Sequence, residues 1–531
     1  MASQGLVVAL DERRDVAWSH DPKTGNPVRD TPRATTREIE TCARCHSRRG
    51  PIAADVPGAP LGDAYRVALL DDNLYFPDGQ LRDEVYEYGS FLQSRMFHEG
   101  VTCSDCHEPH SQKLRVPGDG VCLQCHETEK YQTSAHLRHA PETAGAQCVS
   151  CHMPTRTYMV VDPRRDHSIL IPRPDLSVSL GVPNACNNCH ADKSAQWAAD
   201  EIKSWHGEPD LGFQHYAQTL QAGTDGAPGA RDRLLALARD ETTPGIARAS
   251  AVSRLDHITS PSQRETLRKL LKDGDHLVRR AAAGAYANTP PTLRVDLLPL
   301  LDDPIRDVRL EAAQVLAGLP IQSLDEDQRR RLDQGVEEYI ASLRDNGDRP
   351  EAHHNLGVLF QQLGRGPDAE GEFRKALDID PNFAPAAVTL ADLYRATGRD
   401  AEAEPILRES LKRKPNVGAV HHALGLWLVR AGRRADALSE LERAADLTPE
   451  SAHYAYVFAV AIAGTGDRKD AFEILRASLA RHPFDRESLF AAASYARDLG
   501  HPDEALNYAK QLGDLEPNDL NVRLFIGQIR N

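Results

Sequence analysis

The sequence predicts a mainly α-helical chain, in which a loop-rich, cysteine-containing region is followed by an α-solenoid. Three observations predict it. All ten cysteines lie before residue 190, among punctuators such as Asp71-Asp72-Asn73, Pro117-Gly118-Asp119-Gly120 and Pro172-Arg173-Pro174-Asp175. From about residue 225 a helical pattern recurs at a spacing of thirty. From about residue 350, Gly, Ala and Pro recur in phase every 34 residues. The chain of 531 residues, 27% charged and 40% hydrophobic, has the composition of a folded protein with several domains. A formal net charge of −15 excludes sequence-independent nucleic-acid binding, which needs a basic surface.

Residues 1–208 form the first predicted domain. Its cysteines make five Cys-x-x-Cys-His motifs: Cys42/Cys45/His46, Cys103/Cys106/His107, Cys122/Cys125/His126, Cys148/Cys151/His152 and Cys186/Cys189/His190. The pattern reads as covalent attachment of haem c, five per chain. Two thiols of each motif add to the vinyl groups of one haem, and His46, His107, His126, His152 and His190 are the proximal iron ligands. Zinc competes for this reading, because fifteen residues separate Cys106 from Cys122, within the spacing of a four-cysteine zinc site. Zinc gives no reason for a histidine after every second cysteine. With 22 histidines in the chain, five such neighbours arise by chance with a probability of about 10⁻⁷. Short helices joined by loops are expected here, since each macrocycle supplies apolar surface to pack against.

The second axial ligand decides function: a strong one makes an electron carrier, whereas an open position permits substrate chemistry. Eight histidines up to residue 215 lie outside the motifs: His20, His98, His110, His136, His139, His167, His206 and His215. His98 precedes Cys103 by five residues, and His110 follows His107 by three. With His167, in DPRRDHS, these lead the distal candidates. His136 and His139, in SAHLRHA, and His20 complete the set. His206 and His215 rank below, and Met153 and Met159 are expected to be packing residues.

Residues 225–322 repeat Leu271-Lys272-Asp273 through Val278-Arg279-Arg280-Ala281-Ala282 as Leu301-Asp302-Asp303 through Val308-Arg309-Leu310-Glu311-Ala312, with a weaker copy at Ile246-Ala247-Arg248-Ala249. This resembles HEAT-type helical repeats, in which an Asp begins the second helix and small Ala residues admit a close neighbour.

Residues 323–531 hold a helical lead-in and then a clean period: Gly364, Gly398, Gly432, Gly466 and Gly500; Ala369, Ala403, Ala437, Ala471 and Ala505; Pro381, Pro415, Pro449, Pro483 and Pro517. The pattern resembles five tetratricopeptide repeats, with Leu356-Gly357 and Leu424-Gly425 at the close-packing positions of first helices. Each Gly is expected at the turn after a first helix, each Ala at a helix contact and each Pro at the end of a unit. Such arrays either bind a protein along one face or brace a neighbouring domain.

Taken together, EVYEYGSFLQSRMFHEGVTCSDCHEPHS, CLQCHETEKY, CVSCHMPTRTYMVVDPRRDHS and PNACNNCHADKS resemble the large multihaem cytochromes fused to tetratricopeptide repeats. Their haem motifs are related to those of hydroxylamine oxidoreductase, pentahaem nitrite reductase and octahaem cytochromes. The Cys-x-x-Cys-His-x-Pro-His of residues 103–110 resembles the doubled motif of that group, where the extra histidine ligates a neighbouring haem. The resemblance also implies further haem motifs upstream. Two departures stand out: no Cys-x-x-Cys-Lys is present, and no tyrosine, Tyr158 included, matches the one cross-linked to haem in hydroxylamine oxidoreductases.

The expected function is electron transfer through bis-histidine haems, with the repeats docking a redox partner protein. The alternative is a multihaem oxidoreductase acting on a small nitrogen or sulfur compound, and a third reading makes the repeats primary. Haem attachment implies a periplasmic or extracellular site. The start, MASQGLVVALDERRD, has too short an apolar stretch for an export signal, which is therefore expected upstream. No apolar run is long enough to span a bilayer.

Overall fold

The computed structural model describes residues 8–530 apart from 110, 112, 209–212, 256–259, 321, 323 and 518. The chain is mainly helical and divides into two compact units. One comprises residues 1–224 with 231–335, the other residues 225–230 with 336–531.

In the first unit the cysteine-bearing part is built of short helices, loops and four two-stranded antiparallel hairpins: Trp18–His20 with Pro27–Arg29, Arg49–Pro51 with Tyr65–Val67, His107–Glu108 with Lys113–Leu114, and Thr155–Tyr158 with Asp162–Arg165. Its apolar core is small. Ile39, Ala43, Leu61, Val67, Tyr88 and Phe91 form one cluster, and Leu176, Val182 and Ala217 another.

Helices Gly245–Ser253, His276–Gly284 and Arg306–Leu316 carry the most buried faces of the next part. Alanines at their contacts (Ala247, Ala282 and Ala312) have no exposed surface, which lets adjacent helices approach closely. The thirty-residue spacing has an electrostatic counterpart: Arg248 pairs with Asp273, and Arg279 with Asp303 at 2.7 Å. Asp275 caps His276–Gly284 by accepting from Leu277 N at 2.8 Å.

These helices pack on the cysteine-bearing part within the same unit. Asp307, 1% exposed, accepts from Arg280 at 2.6 Å and from Arg66, on a hairpin strand, at 2.7 Å. Arg280 also donates to Val67 O at 3.0 Å, Leu70 N to Ser250 Oγ at 2.9 Å, and Arg306 N to Asp63 Oδ1 at 2.8 Å.

The second unit holds five antiparallel helix pairs and a closing helix. The pairs are Pro350–Gln362 with Gly366–Ile379, Ala384–Ala396 with Ala403–Arg413, Gly418–Arg430 with Arg434–Leu447, Ala452–Ala463 with Arg468–Leu479, and Arg486–Asp498 with Pro502–Leu515; Leu520–Arg530 follows. Each recurring glycine sits in the turn inside a pair with φ between +72° and +102°, a region that β-carbon sterics close to most residues. The five recurring alanines are fully buried. Gly425 has a different reason: a Cβ there would lie 2.7 Å from the Leu441 side chain.

Candidate haem-binding site

Each motif sits on or beside a short helical turn. Arg37–His46 ends on the first motif, Cys103–Cys106 and Cys148–His152 contain the second and fourth, and Gly120–Leu123 and Cys186–Asn188 begin the third and fifth. A helical turn brings residues three apart onto one side, which the two thiols of a Cys-x-x-Cys pair need to reach one porphyrin edge. Thr102 and Asp105 form a reciprocal capping box at the second motif, which fixes that turn.

The histidines are brought together in pairs. Ring centres lie 6.3 Å apart for His107 and His167, 6.1 Å for His136 and His152, and 6.2 Å for His139 and His190. With metal–nitrogen bonds of about 2.0 Å and about 1.1 Å from nitrogen to ring centre, two imidazoles opposed across one iron have centres about 6.3 Å apart. Ordinary aromatic packing spans the same range. The composition of the pairs separates the readings, because each joins one motif histidine to one from outside the motifs.

Hydrogen bonding points the same way. Nδ1–H donates to Leu170 O in His152 at 2.9 Å, to Leu137 O in His139 at 2.8 Å, to Arg165 O in His167 at 3.0 Å and to the Glu87 carboxylate in His46 at 2.9 Å. This leaves Nε2 with its lone pair, the arrangement that outer hydrogen bonds give to metal-ligating histidines. Burial pushes the pKa values of His107, His126, His136 and His152 down, helped by His167 beside His107 and by His152 beside His126 and His136. These rings are therefore held neutral, as a metal requires.

The other candidates lie in different surroundings. His20 donates from Nε2 to Cys125 O at 3.0 Å, and its charge helps depress the pKa of His126. His98 is exposed, its ring 5.1 Å from that of Phe213. His110 lies outside the described residues. His206 stacks edge-on to its neighbour Trp205, and His215 faces Asp240 at 3.2 Å. Met159 is not a packing residue: it is 77% exposed at a hairpin tip, since the tight turn leaves nothing above it.

The cysteines are free thiols. Cys42 bonds to Cys103, and Cys122 to Cys148. Burial raises the Cys106 thiol to about 11, against the thiolate that zinc requires. Among the described residues no group of three or more His, Cys, Asp or Glu converges as a metal cage. A closed zinc site needs four such ligands. The residues present fit haem: thiol pairs on single turns, and opposed neutral imidazoles. Among the described residues no helix is long and apolar enough to cross a membrane.

Sequence alone did not reveal which histidines pair. His107 and His167 are sixty residues apart, and the hairpin Thr155–Tyr158 with Asp162–Arg165 returns the chain between them.

Comparison with known proteins finds the family described as Doubled CXXCH motif at residues 96–131. Tetratricopeptide repeat families match at 362–426 and at 322–384 and 422–486. No functionally curated protein matches. Among solved structures the chain is similar to YrrB, titled a TPR protein with an unusual peptide-binding site, at 20% identity over 35% of this chain and 96% of that one, TM-score 0.28. It is also similar to Pseudomonas aeruginosa pilF, at 22% identity over 42% and 99%, TM-score 0.30. A third is a thermophilic TPR protein of Thermus thermophilus, at 25% identity over 34% and 98%, TM-score 0.28. One polypeptide thus joins a c-type haem-attachment motif to tetratricopeptide repeats, a protein-interaction module.

Proposed function

We propose that the chain is a multihaem c-type cytochrome that passes electrons through five bis-histidine haems and docks a redox partner on its tetratricopeptide repeats. The carrying observation is the pairing of His107, His152 and His190 with His167, His136 and His139 at ring separations of 6.1 to 6.3 Å. Bound haem would supply reversible one-electron exchange between ferric and ferrous iron. The chain's part is to hold both axial nitrogens on each iron, which keeps it low-spin and closed to small ligands. Carbonyl acceptors on Nδ1 fix the ring orientation and raise the ligand basicity of His139, His152 and His167.

Docking is supported by apolar side chains left exposed on successive first helices. Leu426 and Val460 occupy the same register position one repeat apart, with Val429 and Phe490 close by in the pattern and 48% and 50% exposed. Scattered apolar residues are ordinary on a surface, whereas an in-phase row on stacked helices forms a continuous recognition strip. The thirty-residue repeats fit a HEAT-like brace, and covalent haem attachment fits a periplasmic or extracellular location. The motifs fit kinship with the hydroxylamine oxidoreductase and nitrite reductase group.

The test is a reduced holoprotein exposed to carbon monoxide. Saturated axial positions predict an unchanged low-spin spectrum, and a carbonyl complex at most of the haems would replace the carrier reading with an oxidoreductase.

A further inference from the structure

Among the described residues the five motifs touch one another in sequence order. Glu38, on the helix of the first motif, accepts from Ser104 N inside the second at 2.7 Å, and the thiols of Cys42 and Cys103 are bonded. Gln124, inside the third motif, donates to Asp105 O inside the second at 3.0 Å. Asp119, three residues before Cys122, accepts from Cys148 N of the fourth motif at 3.0 Å, where the thiols of Cys122 and Cys148 also meet. The Tyr131 ring stands edge-on between His126 of the third motif, at 5.4 Å, and His136, at 5.3 Å, which faces the fourth. The fourth and fifth are tied by a single turn of chain, because His136 faces His152 and His139 faces His190. Every one of these contacts joins motifs that are consecutive in the sequence.

We infer that the five haem sites form a single unbranched file in sequence order, with the Cys42/Cys45 and Cys186/Cys189 sites as its ends, where electrons enter and leave. The inference rests on the multihaem reading proposed above. Tunnelling rates fall exponentially with the gap between macrocycle edges, so a file of touching neighbours conducts along its length and has no shortcut past a missing member. Each hop oxidises one iron as it reduces the next, and no bond is made or broken. The electron comes from an external one-electron donor and leaves to an external acceptor. The burial pattern agrees with the assignment of the ends. Of the ten cysteines only Cys45 and Cys189 are exposed, one in the first motif and one in the last. His46 is exposed as well, whereas His152, in the interior of the file, is nearly enclosed.

The test uses holoprotein in which single motifs are disabled by paired Cys→Ala substitutions, with haem content and circular dichroism confirming that only one haem is lost. Sub-stoichiometric electrons are delivered by photogenerated methyl viologen radical, and internal redistribution is followed optically. In the wild type, redistribution is one fast process. Removing the middle site, with C122A and C125A together, is expected to split it into a fast and a slow phase. Removing an end site, with C42A and C45A or with C186A and C189A, is expected to leave it single. An unsplit process in the middle variant, or a split in an end variant, overturns the file. Wild-type protein lacking c-type haem would instead defeat the underlying reading. Should the middle variant fail to fold, anomalous scattering from iron in wild-type crystals gives the same answer. Nearest-neighbour irons must then follow motif order, and any branch or inversion overturns it.

Discussion

His136 and His152 face one another with ring centres 6.1 Å apart and planes within 10° of parallel. His152 is fixed by Leu170 O, and His136 sits on the single turn Ser134–Leu137, capped by Thr133. Two neighbouring elements thus hold the pair at a haem-spanning separation without direct contact between the rings. Replacing His136 with Ala should convert one low-spin ferric haem to high spin, and His139→Ala should do the same for another. Electron paramagnetic resonance of the oxidised holoprotein reads both. A double variant should show the sum, since each histidine faces its own motif.

Asp307→Ala should destabilise the first unit by about 3–5 kcal/mol, because it leaves buried Arg280 without its counter-charge. Arg66→Met should cost less, since Arg280 still neutralises Asp307. Chemical denaturation followed by far-ultraviolet circular dichroism measures both. Burial pushes the Asp307 carboxyl up, but Arg280 and Arg66 outweigh it and hold the carboxyl below its ordinary value of 3.8. Its contribution is therefore complete above that value and lost as pH falls through the depressed pKa. Asp307→Asn should accordingly flatten the acid limb of the stability curve.

In the repeat array, Gly432→Ala should cost about 1 kcal/mol, the penalty for a β-carbon at φ +74°. Gly425→Ala acts through packing and should cost about 1–3 kcal/mol, as its Cβ meets Leu441. The two variants are distinguished by a second substitution: Leu441→Ala should partly relieve Gly425→Ala and leave the effect of Gly432→Ala unchanged. Thermal melts of these proteins, alone and in combination, decide it.

His422 stacks on Tyr454 at 4.5 Å with Nδ1 buried and unbonded. Burial, then the charge of His453, push its pKa down to about 4 from an ordinary 6.5. Above pH 6.5 both folded and unfolded forms are neutral and stability is complete; between 6.5 and 4 only the unfolded form takes up the proton. Stability of the array should fall by about 1 kcal/mol across that window, discounted for the ring's partial exposure. His422→Phe keeps the stack and should remove that slope in pH-dependent melts.

Features set by local spacing were legible in the sequence. The motif cysteines need only three-residue spacing, and the repeat glycines a turn conformation, so Gly364 and Cys103 announce their roles within a few residues. The pairing of histidines was less legible, because it depends on where hairpins return the chain. His98, close to a motif in sequence, points to Phe213, whereas His167, far from His107, faces it. The bond between Arg66 and Asp307 spans 241 residues, and no periodicity carries that information. Met159 looked like core by composition, yet a hairpin tip exposes whatever residue occupies it.

The central claim is that all five motifs bind haem c. A pyridine haemochrome assay on purified holoprotein, normalised to chain concentration by amino-acid analysis, tests it most directly. The account predicts five c-type haems per chain that remain attached after denaturation, and a value far below five, or zinc in their place, would contradict it.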